Sequence, residues 1–477
     1  MSQRKSYDAV IIGSGPNGLA AGIELARNGY SVVVFEAEKS CGGGARSAAL
    51  TLPGFVHDVC SAVHPLAAGS PFFSRLPLAD HSLQFIFPPA AVAHPFDDGT
   101  AVVLERSVEA TSEALGRDGS AYRHLLKPLV AGWNDLAANI LGPPRWPSHP
   151  IMLARFGLRA LRSACALAES RFAERNARGF FAGLAAHSSL PLEKTATAAF
   201  GLVLGVTGHA VGWPVIRKGS GELTAALVSL FQSFGGEIIT DRRISRLEEL
   251  PEHRVVLCDI TPRQLLRLAG DRLPARFQQK LRGYRYGPAA FKIDWALDAP
   301  VPWAAQGCFQ AATVHLGGTL EEIAESERAP WRGQHAGKPF VLVAQPSLFD
   351  PTRVPVGKQT LWAYCHVPNG SNVDMTEAIE TQIERFAPGF RKHVLARKVT
   401  TPAQLEQYNE NLIGGDINGG AQDLGQLFLR PTALLYRTPL KDVYICSSST
   451  PPGGGVHGMC GFHAARLAIR RLSKAAS

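Results

Sequence analysis

Residues 7–18, YDAVIIGSGPNG, decide the fold of this chain, because an apolar strand runs directly into a glycine-rich turn. The next residues, Leu19–Asn28, favour a helix, and a second apolar strand follows at Ser31–Phe35 and ends at Glu36. A strand, a glycine turn, a helix and a second strand in this order predict a βαβ unit, the building block of a parallel sheet.

The glycine spacing predicts that this unit binds a dinucleotide. Gly13 makes the tight turn, Gly15 lets the backbone approach a pyrophosphate, and Gly18 lets the helix pack closely on the strand. The helix N-terminus offers free N–H groups to the phosphates. Glu36 follows Gly18 by 18 residues, near the ~20-residue spacing of an acid that binds a ribose hydroxyl. A βαβ unit without a ligand is the alternative, and we favour the binding site.

Length and composition predict a globular protein of two or three domains. The chain has 477 residues, of which 45% are hydrophobic and 19% charged, and no apolar run approaches the ~18 residues of a membrane span. The short polar start predicts no signal peptide. The eight cysteines are scattered without metal-like spacing, which predicts reduced thiols, no metal site and a cytoplasmic location, and argues against a flavin disulfide reductase.

The basic residues are spread along the chain. The formal charge is +9, but no basic motif with interleaved aromatic residues occurs, so we expect no nucleic-acid partner. One predicted helix, 151–186, places Arg155, Arg159 and Arg162 on one face. A basic amphipathic helix can lie on anionic lipid, which predicts peripheral membrane contact. A solvated face of a substrate-domain helix is the other interpretation, and the one we favour.

Further patterns predict a discontinuous α/β protein. After Gly219-Ser220-Gly221, a helix is expected over Glu222–Phe234 and another parallel strand over Glu237–Leu247. Short alternating apolar runs at 291–296, 311–316, 339–344 and 360–366 predict a second, mostly antiparallel sheet. No second fingerprint marks a separate NAD(P)H domain.

The domain organisation follows from these segments. We expect a Rossmann-like dinucleotide-binding domain built from residues 1–100, 216–290 and 421–477, and a discontinuous α+β substrate domain. The substrate domain would consist of a mainly helical insertion, 101–215, and a sheet, 291–420. The active site should lie between the two domains, where pockets commonly form.

The end of the chain repeats the strand, glycine loop and helix pattern. Val443–Cys446 is apolar, residues 447–458 read SSSTPPGGGVHG, and Met459–Leu472 favour a helix. A second helix N-terminus of this kind can stabilise an anion. Two helix N-termini of this kind, one near each end of the chain, can hold opposite ends of one long cofactor.

These motifs resemble a known family. Residues 36–44, EAEKSCGGG, and the terminal stretch 450–459, TPPGGGVHGM, resemble phytoene-desaturase-like FAD-dependent oxidoreductases. These proteins belong to the flavin amine oxidase superfamily, and the likeness is nearest to the pyridine nucleotide-disulfide oxidoreductase domain 2-like branch. The resemblance spans essentially the whole chain.

The resemblance implies FAD as the cofactor and assigns residues to it. The pyrophosphate would lie on the turn that contains Gly13, Gly15, Pro16, Asn17 and Gly18, and the adenosine at Glu36 and Ala37, with the backbone of Ile244 at the adenine. Gly44 stands where the family has an arginine after Gly43, and Arg46 would reach the phosphates instead. Gly458 and Met459 would lie beside the pyrimidine side of the flavin ring.

The resemblance also implies candidate catalytic residues. Lys292 occupies a strand position like that of the lysine that holds a water against the flavin in amine oxidases. His57, His64 and His457 are candidate proton-transfer groups, since imidazole titrates near neutral pH. A solvent-facing edge-strand lysine is the alternative for Lys292, and a packing role is the alternative for each histidine. Asp416 and Asn418 could line the substrate side.

The predicted function is an FAD-dependent oxidoreductase that abstracts hydride from carbon. The expected reaction is desaturation or isomerisation of a small apolar, isoprenoid-like substrate of the phytoene dehydrogenase type, with oxygen, a quinone or another soluble molecule as electron acceptor. A flavin amine oxidase is one alternative. A non-enzymatic binding protein, similar to the GDP-dissociation inhibitors of small GTPases, is the other.

Overall fold

A computed structural model describes residues 6–474, and its strands form two main sheets and two short ribbons. In chain order the strands are β1 (Tyr7–Ile12), β2 (Val32–Phe35), β3 (Ser47–Ala48), β4 (His57–Asp58), β5 (Phe85–Ile86), β6 (Ala90–Pro95), β7 (Ala101–Glu105), β8 (Val215–Ile216), β9 (Glu237–Ile239), β10 (His253–Cys258), β11 (Ala289–Leu297), β12 (Ala311–Leu316), β13 (Val341–Ala344), β14 (Gln359–Val367), β15 (Val394–Thr400) and β16 (Val443–Ile445).

Along the sequence, the α-helices lie mainly between the strands. They are α1 (Pro16–Ala26), α2 (Pro65–Ala68), α3 (Val108–Ala114), α4 (Gly119–Ala131), α5 (Trp133–Ile140), α6 (Pro150–Ala160), α7 (Ala164–Arg171), α8 (Arg175–Ala185), α9 (Thr197–Ala210), α10 (Gly221–Ser233), α11 (Pro262–Ala269), α12 (Ala275–Arg282), α13 (Leu320–Arg328), α14 (Thr376–Phe386), α15 (Pro402–Tyr408), α16 (Leu424–Leu427) and α17 (Met459–Lys474).

The smaller sheet is parallel, with the strand order β16-β10-β1-β2-β9. A parallel sheet is covered by helices on both faces, so its central strands need nearly continuous apolar sequence. The run from Ala9 to Ile12 meets this need and is buried. Helices α1, α10 and α17 pack together on one face, and α11 and α12 pack on the other.

The larger sheet is mixed, with the strand order β15-β11-β14-β13-β12-β6-β7. Its neighbours are antiparallel except for β12 and β6, which run parallel. Strand β11, which lies next to the edge strand β15, is buried along its whole length. Helices α8 and α9 pack against β6 and β7, so the helical region 108–210 covers one face of this sheet.

The predicted fold class is confirmed: a Rossmann-like α/β domain stands beside a second domain that contains a mixed sheet. The four predicted antiparallel strands correspond to β11, β12, β13 and β14. The predicted domain limits stay a prediction. The limit at residue 100 falls between β6 and β7, which pair with each other in the larger sheet.

Two predicted elements are shorter in the structure. The strand expected over 237–247 ends at Ile239, because Asp241 takes a left-handed backbone, with φ of 55°, and its N–H donates to Glu38 O at 2.9 Å. The helix expected over 151–186 is divided into α6, α7 and α8. Among residues 6–474, no helix is both long and apolar enough to cross a membrane.

Candidate active site

One cavity of about 590 Å³ extends from the carboxyl ends of the parallel strands to the face of the larger sheet. Open parallel sheets bind their ligands at this edge, where the strand order reverses. One end is lined by the glycine turn, the end of β2 and parts of the segments 242–245 and 407–412. The other end is lined by side chains of β11, β12, β13 and β14.

The glycine turn has the geometry that its spacing predicts. Gly13 has φ of 98°, and its N–H donates to Phe35 O at 2.8 Å. A Cβ on Gly18 would lie 2.0 Å from Gly13 O, so only glycine lets α1 start this close to β1. Gly13, Gly15, Pro16 and Asn17 line the cavity, whereas Gly18 lies behind them.

Glu36 lines the cavity at the end of β2. Its carboxylate accepts the Ser14 N–H at 2.9 Å and the Glu38 N–H at 3.0 Å, and also a hydrogen bond from the Ser14 hydroxyl. These bonds fix the acid beside the turn. Ala37 and Ile244, which were predicted for the adenosine, line the same end of the cavity.

Arg46 lines the cavity together with Gly43 and Gly44. Its Nε donates to Cys41 O at 3.1 Å, and its Nη2 lies 3.5 Å from Glu36 Oε1. The guanidinium carbon stands 5.4 Å from the centre of the Tyr408 ring. A positive charge is therefore held at the wall near the glycine turn, so the predicted phosphate contact of Arg46 remains a prediction that this position supports.

Asp259, which was not among the predicted site residues, lies directly under the glycine turn. Its Oδ2 accepts the Gly18 N–H at 2.9 Å, and a Cβ on Gly15 would lie 2.7 Å from the same oxygen. Burial, and then the charge of Glu36, raise the pKa of Asp259 to about 7. In the sequence, Asp259 is marked only as a single acid at the carboxyl end of an apolar strand. That pattern indicates a site only when the strand order is known.

Lys292 lies on the cavity wall, on the strand next to the edge strand β15 of the larger sheet. Because β11 is paired on both sides, Lys292 is only 3% exposed, which rules out the edge-strand alternative. Its Nζ donates to Asp294 and stands 5.7 Å from the Trp362 ring centre. Burial raises the pKa of Asp294 to about 6, although the Lys292 charge opposes this shift.

Of the three predicted proton-transfer histidines, only His64 lines the cavity; its Nε2 lies 3.0 Å from Ser220 Oγ, and burial lowers its pKa to about 4. His57 is buried, with its Nδ1 3.6 Å from Asp294 Oδ1, and burial and then Lys292 lower its pKa to about 4. His457 accepts the Met459 N–H on its Nδ1 at 3.0 Å, and burial lowers its pKa to about 4. Proton transfer by any of the three stays a prediction. In this arrangement His57 would act through Asp294.

The terminal glycine loop reaches the cavity through Ser448, Gly455 and Val456. Gly458 lies behind the loop, where a Cβ would be 2.5 Å from the Phe73 ring, and Met459 is buried at the start of α17. The predicted contact of these two residues with a cofactor stays a prediction. The backbone of the loop, rather than these two residues, forms the wall.

The inner end of the cavity is a largely apolar chamber. Its walls include Leu204, Trp213, Leu342, Trp362 and Tyr364. Trp362 and Tyr364 meet edge to face, with ring centres 5.2 Å apart. Among the described residues, Trp362 Nε1 and Thr313 Oγ1, which also lines the chamber, have no hydrogen-bond partner. Both atoms are buried away from the open space of the cavity, so the chamber suits a largely apolar ligand.

A buried hydrogen-bond chain ends at Asn418 on the cavity wall. His366 Nδ1 lies 2.8 Å from Glu327 Oε2, and its Nε2 lies 3.0 Å from Ser189 Oγ. Asn418 Nδ2 in turn donates to Ser189 Oγ at 3.1 Å. This order of donors and acceptors orients the Asn418 amide. Asp416, the other residue proposed for this side, lies outside the cavity lining and accepts N–H groups of Gly287, Asn418 and Gly420.

Comparisons with known proteins agree with this architecture. Residues 11–75 match the model of the NAD(P)-binding Rossmann-like domain. The chain is 27% identical to the mouse pyridine nucleotide-disulfide oxidoreductase domain-containing protein 2, over 98% of this chain and 94% of that protein. It is 31% identical to hydroxyneurosporene desaturase of Rhodobacter capsulatus over 30% of this chain and 34% of that protein. The resemblance predicted from the motifs is thus confirmed, and the chain contains a dinucleotide-binding Rossmann-like domain.

Solved structures share the fold at lower identity. An oxidoreductase from Methanosarcina mazei superposes with a TM-score of 0.67 at 15% identity, over 97% of this chain and 100% of that one. Wild-type putrescine oxidase bound to putrescine superposes with a TM-score of 0.62 at 17% identity, over 99% of each chain. At these identities the likeness concerns the fold, which hosts several chemistries.

Proposed function

We propose that this protein is an FAD-dependent oxidoreductase that oxidises a carbon–hydrogen bond of a small apolar substrate. The observation that carries the proposal is the continuity of one cavity, from a dinucleotide turn to an apolar chamber with Lys292 on its wall. Within this class we favour desaturation or isomerisation of an isoprenoid-like molecule, which the partial similarity to hydroxyneurosporene desaturase supports.

The residues present fit FAD. Gly13, Gly15, Gly43 and Gly44 all line the cavity, so positions without side chains border the space that a pyrophosphate would take. The turn would hold the pyrophosphate, Glu36 and Ile244 the adenosine, and the terminal loop the flavin end. When bound, FAD supplies a two-electron acceptor for hydride.

The protein's own groups would manage the proton and orient the substrate. The largely apolar chamber walls would exclude water and hold the carbon skeleton of the substrate. Asp294 can hold a proton on its carboxyl, since its pKa is raised to about 6. Lys292 Nζ, which donates to Asp294, can pass that proton between the carboxyl and the cavity.

Amine oxidation is the second candidate. The perpendicular rings of Trp362 and Tyr364 lie beside Lys292 on the cavity wall and offer an aromatic surface to an amine. The whole-length structural likeness to putrescine oxidase supports this candidate at the level of the fold.

The first test is whether the purified protein carries flavin. A yellow protein that releases FAD on denaturation would support both enzyme candidates. A colourless protein that takes up no FAD would overturn them and leave a binding protein of the GDP-dissociation-inhibitor type.

Substrate screening then separates the two enzyme candidates. The flavin spectrum is followed anaerobically against isoprenoid hydrocarbons, isoprenoid alcohols and ketones, and primary amines. We expect bleaching by isoprenoids, because the chamber walls are largely apolar. Bleaching by amines alone, with hydrogen peroxide formed in air, would reverse the ranking. Oxygen and soluble quinones are compared as acceptors in the same assay.

A further inference from the structure

Helix α6 and the loop before it turn large apolar side chains toward solvent. Trp146 is 95% exposed, Ile151 72%, Leu158 78% and Leu161 51%. Ile151, Leu158 and Leu161, with Ala154, follow helical spacing and so share one side of α6. The opposite side is buried through Phe156 and Ala160. The helix therefore has one apolar side that is buried against the domain and a second apolar side that none of the described residues covers. A second apolar side is unusual for a surface helix.

Positive charge surrounds this apolar face. Arg145, Arg155, Arg159 and Arg162 flank it, and the sequence has no Asp or Glu between residues 143 and 168. An apolar stripe flanked by cations, without an acid, has the composition of helices that lie in the interface of a bilayer. The solvated helix face favoured from the sequence does not account for the exposed tryptophan and aliphatic side chains.

A basic cleft adjoins the helix. Arg159 lines a cleft of about 430 Å³ with Arg117, Arg171 and His124. Burial, and then the charges of Arg171 and Arg155, lower the pKa of Arg159, so an anion in the cleft would relieve repulsion. The acid in the cleft, Asp118, already accepts the N–H groups of Ala173 and Glu174 at 2.8 Å. Arg117 lies 3.7 Å from the exposed Glu174 carboxylate, a weak surface pair.

We propose that the α6 surface, defined as Trp146, Ile151, Ala154, Leu158 and Leu161 with their flanking arginines, binds the surface of an anionic phospholipid bilayer. The apolar side chains would enter the boundary between headgroups and acyl chains, and the arginines would meet lipid phosphates. Charge decides against a second copy of the chain as the occupant, because a two-fold interface would set arginines against arginines. The inference stands apart from the proposed function and does not depend on flavin binding.

The test is co-sedimentation of the purified full-length protein with vesicles. We expect binding to vesicles of phosphatidylglycerol and phosphatidylcholine in a 1:3 ratio, which is about the composition of a moderately anionic membrane. Binding should fall steeply between low and high salt, because screening weakens attraction of the arginines to the surface. Vesicles of phosphatidylcholine alone should bind at least about tenfold more weakly.

Two double substitutions separate the apolar contribution to membrane binding from the charged contribution. Ile151→Glu with Leu158→Glu should lower the partition coefficient at least about tenfold, because two inserted side chains are lost and two anions are added. Arg155→Gln with Arg162→Gln should lower it about fivefold or more on anionic vesicles only. Val356→Glu and Arg282→Gln remove a fully exposed apolar residue and an exposed arginine elsewhere, and they should bind like the wild type.

The contrary outcomes are specific. Absence of sedimentation with any vesicle, or equal loss of binding in the control variants, would overturn the proposal. So would a concentration-dependent dimer, measured by light scattering, that the Ile151→Glu and Leu158→Glu pair abolishes, because the α6 surface would then join two copies of the chain.

Discussion

At the scale of single residues, Lys292 has an unusual environment for a lysine. It is buried on a strand that is paired on both sides, bonded to Asp294 and set against the Trp362 ring, and it lines the cavity. Such a cation is costly to bury without a role, because desolvation penalises the charge and only one partner compensates it. The position of Lys292 therefore favours a role in the reaction over a purely structural role.

The substitution Lys292→Met tests that role. If the ammonium assists proton movement at the cavity wall, the variant should reoxidise its reduced flavin at least about tenfold more slowly in air, the range typical of a lost acid–base group. Stopped-flow absorbance after anaerobic reduction measures the rate. Lys280→Met, at an exposed position of α12, is the control and should keep the wild-type rate. An unchanged rate in Lys292→Met would remove the lysine from the mechanism.

Asp259 predicts a pH dependence of cofactor binding. Its pKa of about 7 means that the carboxyl loses its proton between pH 6 and 8, which adds a negative charge beside Glu36 and the glycine turn. FAD affinity should thus be highest below pH 7 and fall up to about tenfold per pH unit above it, because binding of the diphosphate then requires proton uptake. Flavin fluorescence on dilution of the complex at pH 6–9 gives the dissociation constant.

The Asp259→Asn variant should bind FAD with little pH dependence, because an amide keeps the acceptor for Gly18 N–H without the charge. Asp294→Asn is the matched control, since that carboxyl also lies buried near the cavity but has a pKa of about 6; its binding curve should still fall above pH 7. If the wild-type affinity is flat over this range, the role assigned to Asp259 is wrong.

The residues that sequence reasoning found and missed differ in how far apart their partners lie. The glycine turn and Glu36 are predictable because their function depends on spacing within one βαβ unit. Asp259 acts on Gly18 across 241 positions, and Ser189 meets His366 across 177. Such contacts depend on the strand order of the folded protein, so no local sequence pattern predicts them.

At the scale of elements, helix boundaries also depend on contacts between residues far apart in the sequence, which limits their prediction. The stretch 151–186 contains no proline, and its pattern favours one long helix. In the structure the Ala164 N–H donates to Thr197 Oγ1 at 2.8 Å, and the N–H groups of Ala173 and Glu174 donate to Asp118 at 2.8 Å. Side chains from other segments thus satisfy backbone N–H groups at the start of α7 and just before α8.

The segment that runs from β4 to His64 at the cavity is held by a buried arginine. Arg353 is fully buried, and its guanidinium donates to Asp58 at 2.5 Å, to Asp350 at 3.1 Å and to Ile216 O at 2.6 Å. Burial opposes ionisation of Asp58, but Arg353 and the Ser220 N–H outweigh it and hold the pKa of Asp58 below its ordinary value. One side chain therefore ties β4 and β8 to the 350–353 turn.

The Arg353→Ala substitution should lower the free energy of unfolding by about 3–5 kcal/mol, because it leaves two buried carboxylates without their cation. Urea unfolding followed by circular dichroism measures the loss. Arg332→Ala, at an exposed position, should change stability by less than about 0.5 kcal/mol. Equal effects of the two variants would contradict the assigned role of the Arg353 network.

At the scale of the whole molecule, the cavity is the place where the two domains meet. Its walls come from both sheets, from the 405–412 segment and from the terminal loop, so residues far apart in sequence share one ligand. The sequence predicted this arrangement through its two glycine loops and the order of its segments. It could not predict the chamber, whose shape depends on how β11 to β14 face the helical insertion.

A ligand that contacts both domains should stabilise them as one unit. We expect FAD at about 100 times its dissociation constant to stabilise the folded protein by about 2.7 kcal/mol, and to raise the melting temperature in a single transition. Differential scanning calorimetry of the FAD-free and FAD-bound protein measures both. Gly15→Ala should reduce this gain, because its Cβ would lie 2.7 Å from Asp259 Oδ2 and would displace the acid that holds the glycine turn, although the Gly15 backbone is not strained. Gly270→Ala, where a Cβ meets no atom within 4 Å, should keep the full gain. Two separate transitions, with only one raised by FAD, would mean that the cofactor is held by the Rossmann-like domain alone and that the shared cavity does not couple the domains.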